Sequence, residues 1–161
     1  MDLSTRDCGL VVATRRALER RPIKVRAITL RSAKRDTGER ICDLVDRAQK
    51  WLISSLLKAS DANVLAVMEE PVHYPGHRVD TPIAVARAVG ALEYVLRCWG
   101  WRVELVKPGA GKAALAGNIK AGKDAVMWSA RMMTDNAVSD EHQADALAAL
   151  MASVLRQGIA P

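Results

Sequence analysis

The stretch NVLAVMEEP, residues 63–71, decides the fold. Its apolar run is too short for a helix and is bounded by turn residues, which predicts a brief strand buried on both faces. Strands of that kind occur in sheets covered by helices on each side. On its N-terminal side, Asp36 and Glu39 form a capping-box pattern. Ile41, Leu44, Val45, Ala48, Leu52 and Leu56 then recur at helical spacing, so one long amphipathic helix should end between residues 58 and 63. Earlier still, Leu10 to Leu30 reads as an antiparallel hairpin. An apolar stretch is followed by a basic turn ending at Pro22 and by IKVRAITL, rich in β-branched residues.

On the C-terminal side, Pro71 to Pro82 is a loop rich in Pro, His, Gly and charge, of a length that compact domains reserve for function. A helix is expected from about Thr81 to Cys98. WRVELVKPG follows as a strand with Trp101, Val103 and Leu105 on one side, and Lys107 to Lys123 reads as a Gly- and Lys-bearing connector. Two helices close the chain, at about 122–134 and 139–155. Strands arranged first as a meander and then alternating with helices imply a single α/β domain over residues 1–161, with a sheet of mixed direction and helices on both faces.

Half of the 161 residues are apolar, enough for a full core without staples. Cys8, Cys42 and Cys98 are odd in number and isolated, which argues against a disulfide framework or a zinc site and fits a reducing cytoplasm. No apolar run approaches membrane-spanning length, and no charged-then-apolar leader opens the chain, so neither a membrane association nor export is expected. A net charge of +6 points towards a polyanionic partner, with nucleic acid the first choice and solvated surface charge the alternative. Arg15, Arg16, Arg20, Arg21, Lys24, Arg26, Arg31, Lys34 and Arg35 crowd one early segment.

Four residues distant in sequence could serve one point. Asp2 opens the first strand, expected beside the strand that ends at Glu69. A carboxylate buried there is costly unless it binds a cation or a proton. Strand alternation allows only one of Glu69 and Glu70 to share a face with Asp2, and Glu69 is favoured. His142 and Asp145, three apart, project from one side of the last helix, for which Ser139 is the expected N-cap with Asp140 and Glu141 in its first turn. Asp145 lies within ADALAALMA, where small neighbours predict close packing on the sheet. Oxygen donors with one imidazole suit Mg²⁺ or Mn²⁺, and two such ions would support phosphodiester hydrolysis. HExxH and Walker A patterns are absent. Lys107, Lys112, Lys120 and Lys123 are candidates for substrate phosphates, with solvated loop lysines as the alternative. His73 and Tyr74 could stack on an unpaired base. Trp51, Trp99, Trp101 and Trp128 are expected in the core.

Read together, these residues resemble the RuvC family of Holliday junction resolvases. DLSTRDCG resembles the first motif, with Asp2 and Gly9; VMEEP resembles the second and selects Glu69. KAALAGNIKAGK is similar to the connector whose basic residues would be Lys112 and Lys123. HQADALAAL resembles the last motif, with His142 and Asp145. The resemblance implies an RNase H-like mixed five-stranded sheet, an antiparallel meander followed by parallel strands, with helices on both faces. It also implies a bacterial or phage homodimer that nicks four-way DNA symmetrically and leaves 5′-phosphate and 3′-hydroxyl ends. A branch-migration helicase is a possible partner within that reading. Junction binding without cleavage, or action on forks or structured RNA, are the alternatives. Two departures stand out. Only Met1 precedes Asp2, so either the first strand is short or the true start lies upstream. The chain has no Phe to wedge into a junction, a task that would fall to Tyr74 or His73.

Overall fold

A computed structural model of the chain describes residues 1–3, 6–20, 22–56, 64–72 and 80–159, with the backbone alone at residues 2, 3, 15, 80 and 81. Strands β1 (Asp2–Leu3), β2 (Asp7–Val12) and β3 (Arg26–Arg31) form an antiparallel sheet in that order. A short helix α1 (Arg15–Leu18) sits inside the expected hairpin connection. Strands β4 (Leu65–Glu69) and β5 (Arg102–Val106) form a parallel pair. The expected single five-stranded sheet is therefore seen as two sheets, and Met1 lies at their junction. Its terminal nitrogen donates to Val67 O at 2.7 Å, and the Glu69 N–H donates to Met1 O at 3.0 Å.

Those two bonds are the pattern of a parallel ladder, in which a residue bonded to positions 67 and 69 stands opposite 68. Met1 belongs to the core that covers one face. There Cys8, Leu10, Leu30, Ala66 and Met68 meet α2 (Thr37–Leu56) and α3 (Asp80–Cys98) through Leu44, Ala48, Leu52, Leu92 and Leu96. The capping-box aspartate does its expected work, for the Glu39 N–H donates to Asp36 Oδ1 at 3.0 Å. That bond holds the Asp36 carboxyl below its ordinary range. Trp99 and Trp101 meet edge to face at 5.2 Å and, with Trp51, pack against this core.

The opposite face is covered by α6 (Glu141–Arg156), with α4 (Pro108–Ala116) and α5 (Lys123–Thr134) against it. Helix α4 replaces the expected connector. Pro108 at the first helical position and Gly117 in the left-handed conformation (φ 73°) delimit it, as a fixed φ and a Cβ-free stop should. Gly111 lets α4 press on α6, since a Cβ there would stand 3.2–3.3 Å from Ala148 and the Ala149 nitrogen. The small residues of α6 thus pack closely on two sides. Ala149 and Ala152 meet Val67 and Val106 of the sheet, while Ala148 meets α4. As expected, β4 is buried on both faces. Trp128 departs from expectation: it is 66% exposed on the outer side of α5, away from any core. Among the described residues no helix is long and apolar enough to cross a membrane.

The start of α6 also differs by one residue from the sequence reading. Asp140, not Ser139, is the N-cap, and its Oδ1 accepts from the Gln143 N–H at 3.1 Å and from Thr29 Oγ1 at 2.7 Å. Buried Gln143 closes the network by donating to Thr29 Oγ1 and accepting from the Ser139 N–H and Oγ. A cap that also bonds to β3 fixes where the helix begins and which strand it begins over. Asp140→Ala should lower the unfolding free energy by about 1–2 kcal/mol. In urea this would appear as a lower midpoint with an unchanged slope; an unmoved midpoint would mean that other contacts hold the helix start.

Candidate functional site

The register defines a transverse row across the strands. Glu69 pairs with Val106, Asp2 pairs with Gly9, and Gly9 pairs with Thr29. Because Met1 stands opposite position 68, position 2 of the backbone falls beside Glu69. From β3 to β5 the row therefore reads Thr29, Gly9, Asp2, Glu69, Val106.

Helix α6 runs along this row. At one end Asp140 is bonded to Thr29, and at the other Ala149 packs with Val67 and Val106. From residue 140 to 149 a helix advances about 13.5 Å. Three strand spacings, β3 to β2 to β1 to β4, cover about 14 Å. The two lengths match, so Asp145 lies midway, above the region between β2 and β1. Glu69 shares that side of the sheet. Ala66 and Met68 belong to the α2–α3 core while Val67 faces α6, so alternation turns Glu69 the same way as Val67. Glu70 continues the pairing with β5 through its N–H to Val106 O.

His142 is held by a close approach of α6 to β2 at Gly9. A Cβ on Gly9 would overlap the His142 carbonyl and stand 2.9 Å from the His142 Cβ, so only glycine admits the helix at this distance. The imidazole, with its side chain 21% exposed, reaches over β2, where Nε2 lies 3.7 Å from Asp7 Oδ2. Asp7 was not singled out from the sequence. The signal was its position two residues before Gly9, which in a strand puts both on one face. Asp7 also faces Arg31, its ladder partner, whose Nε is 3.4 Å from Oδ1.

The four connector lysines separate. Lys107 precedes α4, Lys112 is half-buried within it, and Lys120 lies in the turn beyond, its N–H donating to Asn118 Oδ1. Lys123 opens α5 and donates from Nζ to Glu141 Oε2 at 2.6 Å, which ties it to the first turn of α6. That hydrogen bond, and then the lysine charge, hold the Glu141 carboxyl below its ordinary value. His73 and Tyr74 lie outside the described residues.

Carboxylate oxygens such as those of Glu69 and Asp145, with an imidazole such as that of His142, are donor types suited to a hard divalent cation. Among the described residues, however, no three His, Cys, Asp or Glu side chains stand close enough to share an ion. The side chain of Asp2 is outside that set.

No family model and no curated protein matches the chain. Solved structures do. A Thermus thermophilus RuvC in complex with a Holliday junction substrate superposes with a TM-score of 0.69 at 24% identity, over 98% of this chain and 93% of that one. A second T. thermophilus RuvC structure gives a TM-score of 0.68 at 23% identity, over 98% and 94%. The fold is that of RuvC.

Two outcomes test the geometry. Gly9→Ala should destabilise the fold by about 1–3 kcal/mol, the usual cost of overpacking; a neutral substitution in thermal unfolding would refute the close approach of α6. Glu141 should titrate by NMR at lower pH than an unperturbed glutamate, and Lys123→Met should raise its midpoint. A lowered carboxyl pKa stabilises above the unfolded value and ceases to do so as pH falls through the folded one. The Lys123–Glu141 tether is therefore lost on the acid side.

Proposed function

We propose that this protein is a divalent-metal-dependent, structure-selective endonuclease that resolves four-way DNA junctions by paired nicks, leaving 5′-phosphate and 3′-hydroxyl ends. The observation that carries the reading is the transverse row. Glu69 and the backbone of Asp2 are neighbours in it, and α6 brings His142 and Asp145 along the same line, on a fold shared with a RuvC that was captured with a Holliday junction substrate. In this reading the two sheets work as one five-stranded RNase H-like sheet in the order β3-β2-β1-β4-β5, with Met1 as the connecting residue.

Asp2, Glu69, His142 and Asp145 would hold Mg²⁺ or Mn²⁺, two ions per site. Bound ions would supply an activated water and neutralise charge on the scissile phosphate. The chain's own part is positional. Lys112 and Lys123 would meet the non-bridging phosphate oxygens, with Lys107 and Lys120 further along the DNA. Lys123 can exchange Glu141 for a phosphate at little cost, since both side chains are largely exposed, 74% and 46%, and exposed pairs contribute roughly 0–1 kcal/mol. Tyr74 and His73 would contact unpaired bases at the junction centre.

A two-fold substrate calls for a two-fold enzyme, so the active form is proposed to be a homodimer in the bacterial or phage-infected cytoplasm, with a branch-migration helicase as a possible partner. With Mg²⁺, a synthetic four-way junction should acquire paired nicks. Asp145→Asn should reduce them roughly 10²–10³-fold, the loss expected when one electrostatic contact to the transition state is removed. Undiminished nicking by that variant would sink the assignment. Binding without nicking under either ion would mark a junction-binding protein, and competition among junction, fork, duplex and RNA hybrid would reveal a different substrate.

A further inference from the structure

Residues 6–35 are crowded with basic side chains in sequence, and the fold divides them between two ends of the sheet. Strand β2 runs antiparallel to β1 and β3, while Met1 pairs with β4 as in a parallel ladder. Strands β1, β3, β4 and β5 therefore end on the same side. Glu69 and Val106 close β4 and β5 at that end, and Lys107 follows. Arg31 closes β3 there, with Lys34 and Arg35 in the turn beyond it. Arg16, Arg20 and Lys24 lie at the opposite end, in the connection from β2 to β3.

The turn after β3 is held from several directions. Its first N–H, that of Ser32, donates to Arg6 O at 2.9 Å and extends the pairing with β2. The Arg47 guanidinium donates to the Arg31 carbonyl. The Arg40 guanidinium donates to the carbonyls of Lys34 and Arg35 and, at 2.8 Å, to Thr37 Oγ1. Holding a long side chain in three bonds costs rotamer freedom, and here it fixes a turn that projects cations. Lys34 and Arg35 are exposed, and among the described residues neither is in an ion pair. The Arg31 side chain, 74% exposed, stands 3.4 Å from Asp7. Asp36 is turned to the start of α2, where its Oδ1 accepts from the Glu39 N–H; Glu39 itself lies in the first turn of that helix.

From Glu69 to Arg31 is about 16 Å, three strand spacings across the sheet and two residues along β3 from Thr29. One turn of duplex DNA is about 34 Å long, so a duplex arm with one strand at Glu69 passes within reach of the turn. A turn fixed in advance loses less freedom on binding than a loose one.

We propose that the turn after β3 is a second DNA contact, separate from the α4–α5 lysines, in which Lys34 and Arg35 neutralise backbone phosphates of a duplex arm. Contacts of this kind set the register of DNA on the protein without reading its bases. The basic residues at the opposite end of the sheet take no part. The proposal rests on the reading of DNA as substrate, but not on the chemistry at Glu69.

The test compares equal losses of charge at the two ends. Binding of a fluorescent four-way junction is measured without divalent ion, so that no strand is cut, from about 50 to 200 mM salt. Each phosphate contact contributes roughly 0.9 to the slope of log affinity against log salt. Lys34→Ala with Arg35→Ala should flatten the slope by roughly 1.8, whereas Arg16→Ala with Arg20→Ala should leave it as in the parent protein. An unchanged slope in the first pair overturns the proposal. So does an equal flattening in both pairs, which would mean that the cations act through total charge and not through contact. Nicking in Mg²⁺ by a parent protein whose slope ignores Lys34 and Arg35 removes this contact and leaves the nuclease reading intact. A slope that depends on them, in a protein that nicks under neither Mg²⁺ nor Mn²⁺, keeps the contact and removes the nuclease. A parent protein that binds no DNA removes both.

Discussion

The absence of a side chain at Gly9 is the constraint on which the rest of the structure depends. Any Cβ there would run into the His142 backbone, so the glycine sets how closely α6 can lie on β2. Closeness at that point fixes the N-terminal half of the helix, and the small residues further along fix the other half. Ala149 and Ala152 are accommodated against Val67 and Val106, and Ala148 against Gly111 of α4. A bulky residue at any of these positions would lift the helix, and close packing leaves little room for the neighbours to absorb the change. The polar residues of the candidate site are thus carried by an apolar fit.

Much of this was legible in the sequence because it depends on local rules. The Asp36 cap, the apolar stripe of α2, the two-faced burial of β4 and the antiparallel pairing of β2 with β3 all follow from periodicity and capping chemistry. Alternation admits only one of Glu69 and Glu70 to the face expected for Asp2, and the likeness of VMEEP to the family's second motif is what selects Glu69. What escaped were features decided by partners far along the chain. Ser139 is the N-cap expected from sequence, with Asp140 in the first turn; the structure caps the helix with Asp140, whose carboxylate is also bonded by Thr29, over a hundred residues away. The segment around GAGKAALA read as a connector because glycine is a poor helix former. Packing against α6 outweighs that propensity, and Gly111 is retained for the contact it permits. Trp128 is expected in the core as a large aromatic within a predicted helix, yet α5 turns it outward. Asp7 was overlooked because its meaning arises only when α6 is laid over β2.

Charge is distributed in a way that the totals conceal. Residues 6–35 contain ten basic and two acidic residues, a net of +8, so the rest of the chain carries −2. The excess lies on β2, α1, β3 and their flanks, whereas the candidate carboxylates Asp2, Glu69 and Asp145 come from β1, β4 and α6. A polyanion attracted by the first set would be drawn along the edge of the sheet towards the second, where its charge is unwelcome unless cations intervene. Lys123 illustrates the balance locally: it stands beside the acidic first turn of α6 through an exposed ion pair with Glu141.

Because α6 crosses the strands instead of following one, its length is in register with the sheet as a ruler is with a scale. Nine residue steps of helix answer to three strand spacings, with contacts at Thr29, Gly9 and Val67 as the marks. Inserting or deleting one residue between Asp140 and Ala149 would turn the remainder of the helix by about 100° and slide it by about 1.5 Å. Ala149 and Ala152 would then leave the sheet even if every side chain were otherwise kept. Length variation among related chains should accordingly be tolerated in the turn between α4 and α5, and suppressed in the first two and a half turns of the last helix, where point substitutions are easier to accommodate than any change in spacing.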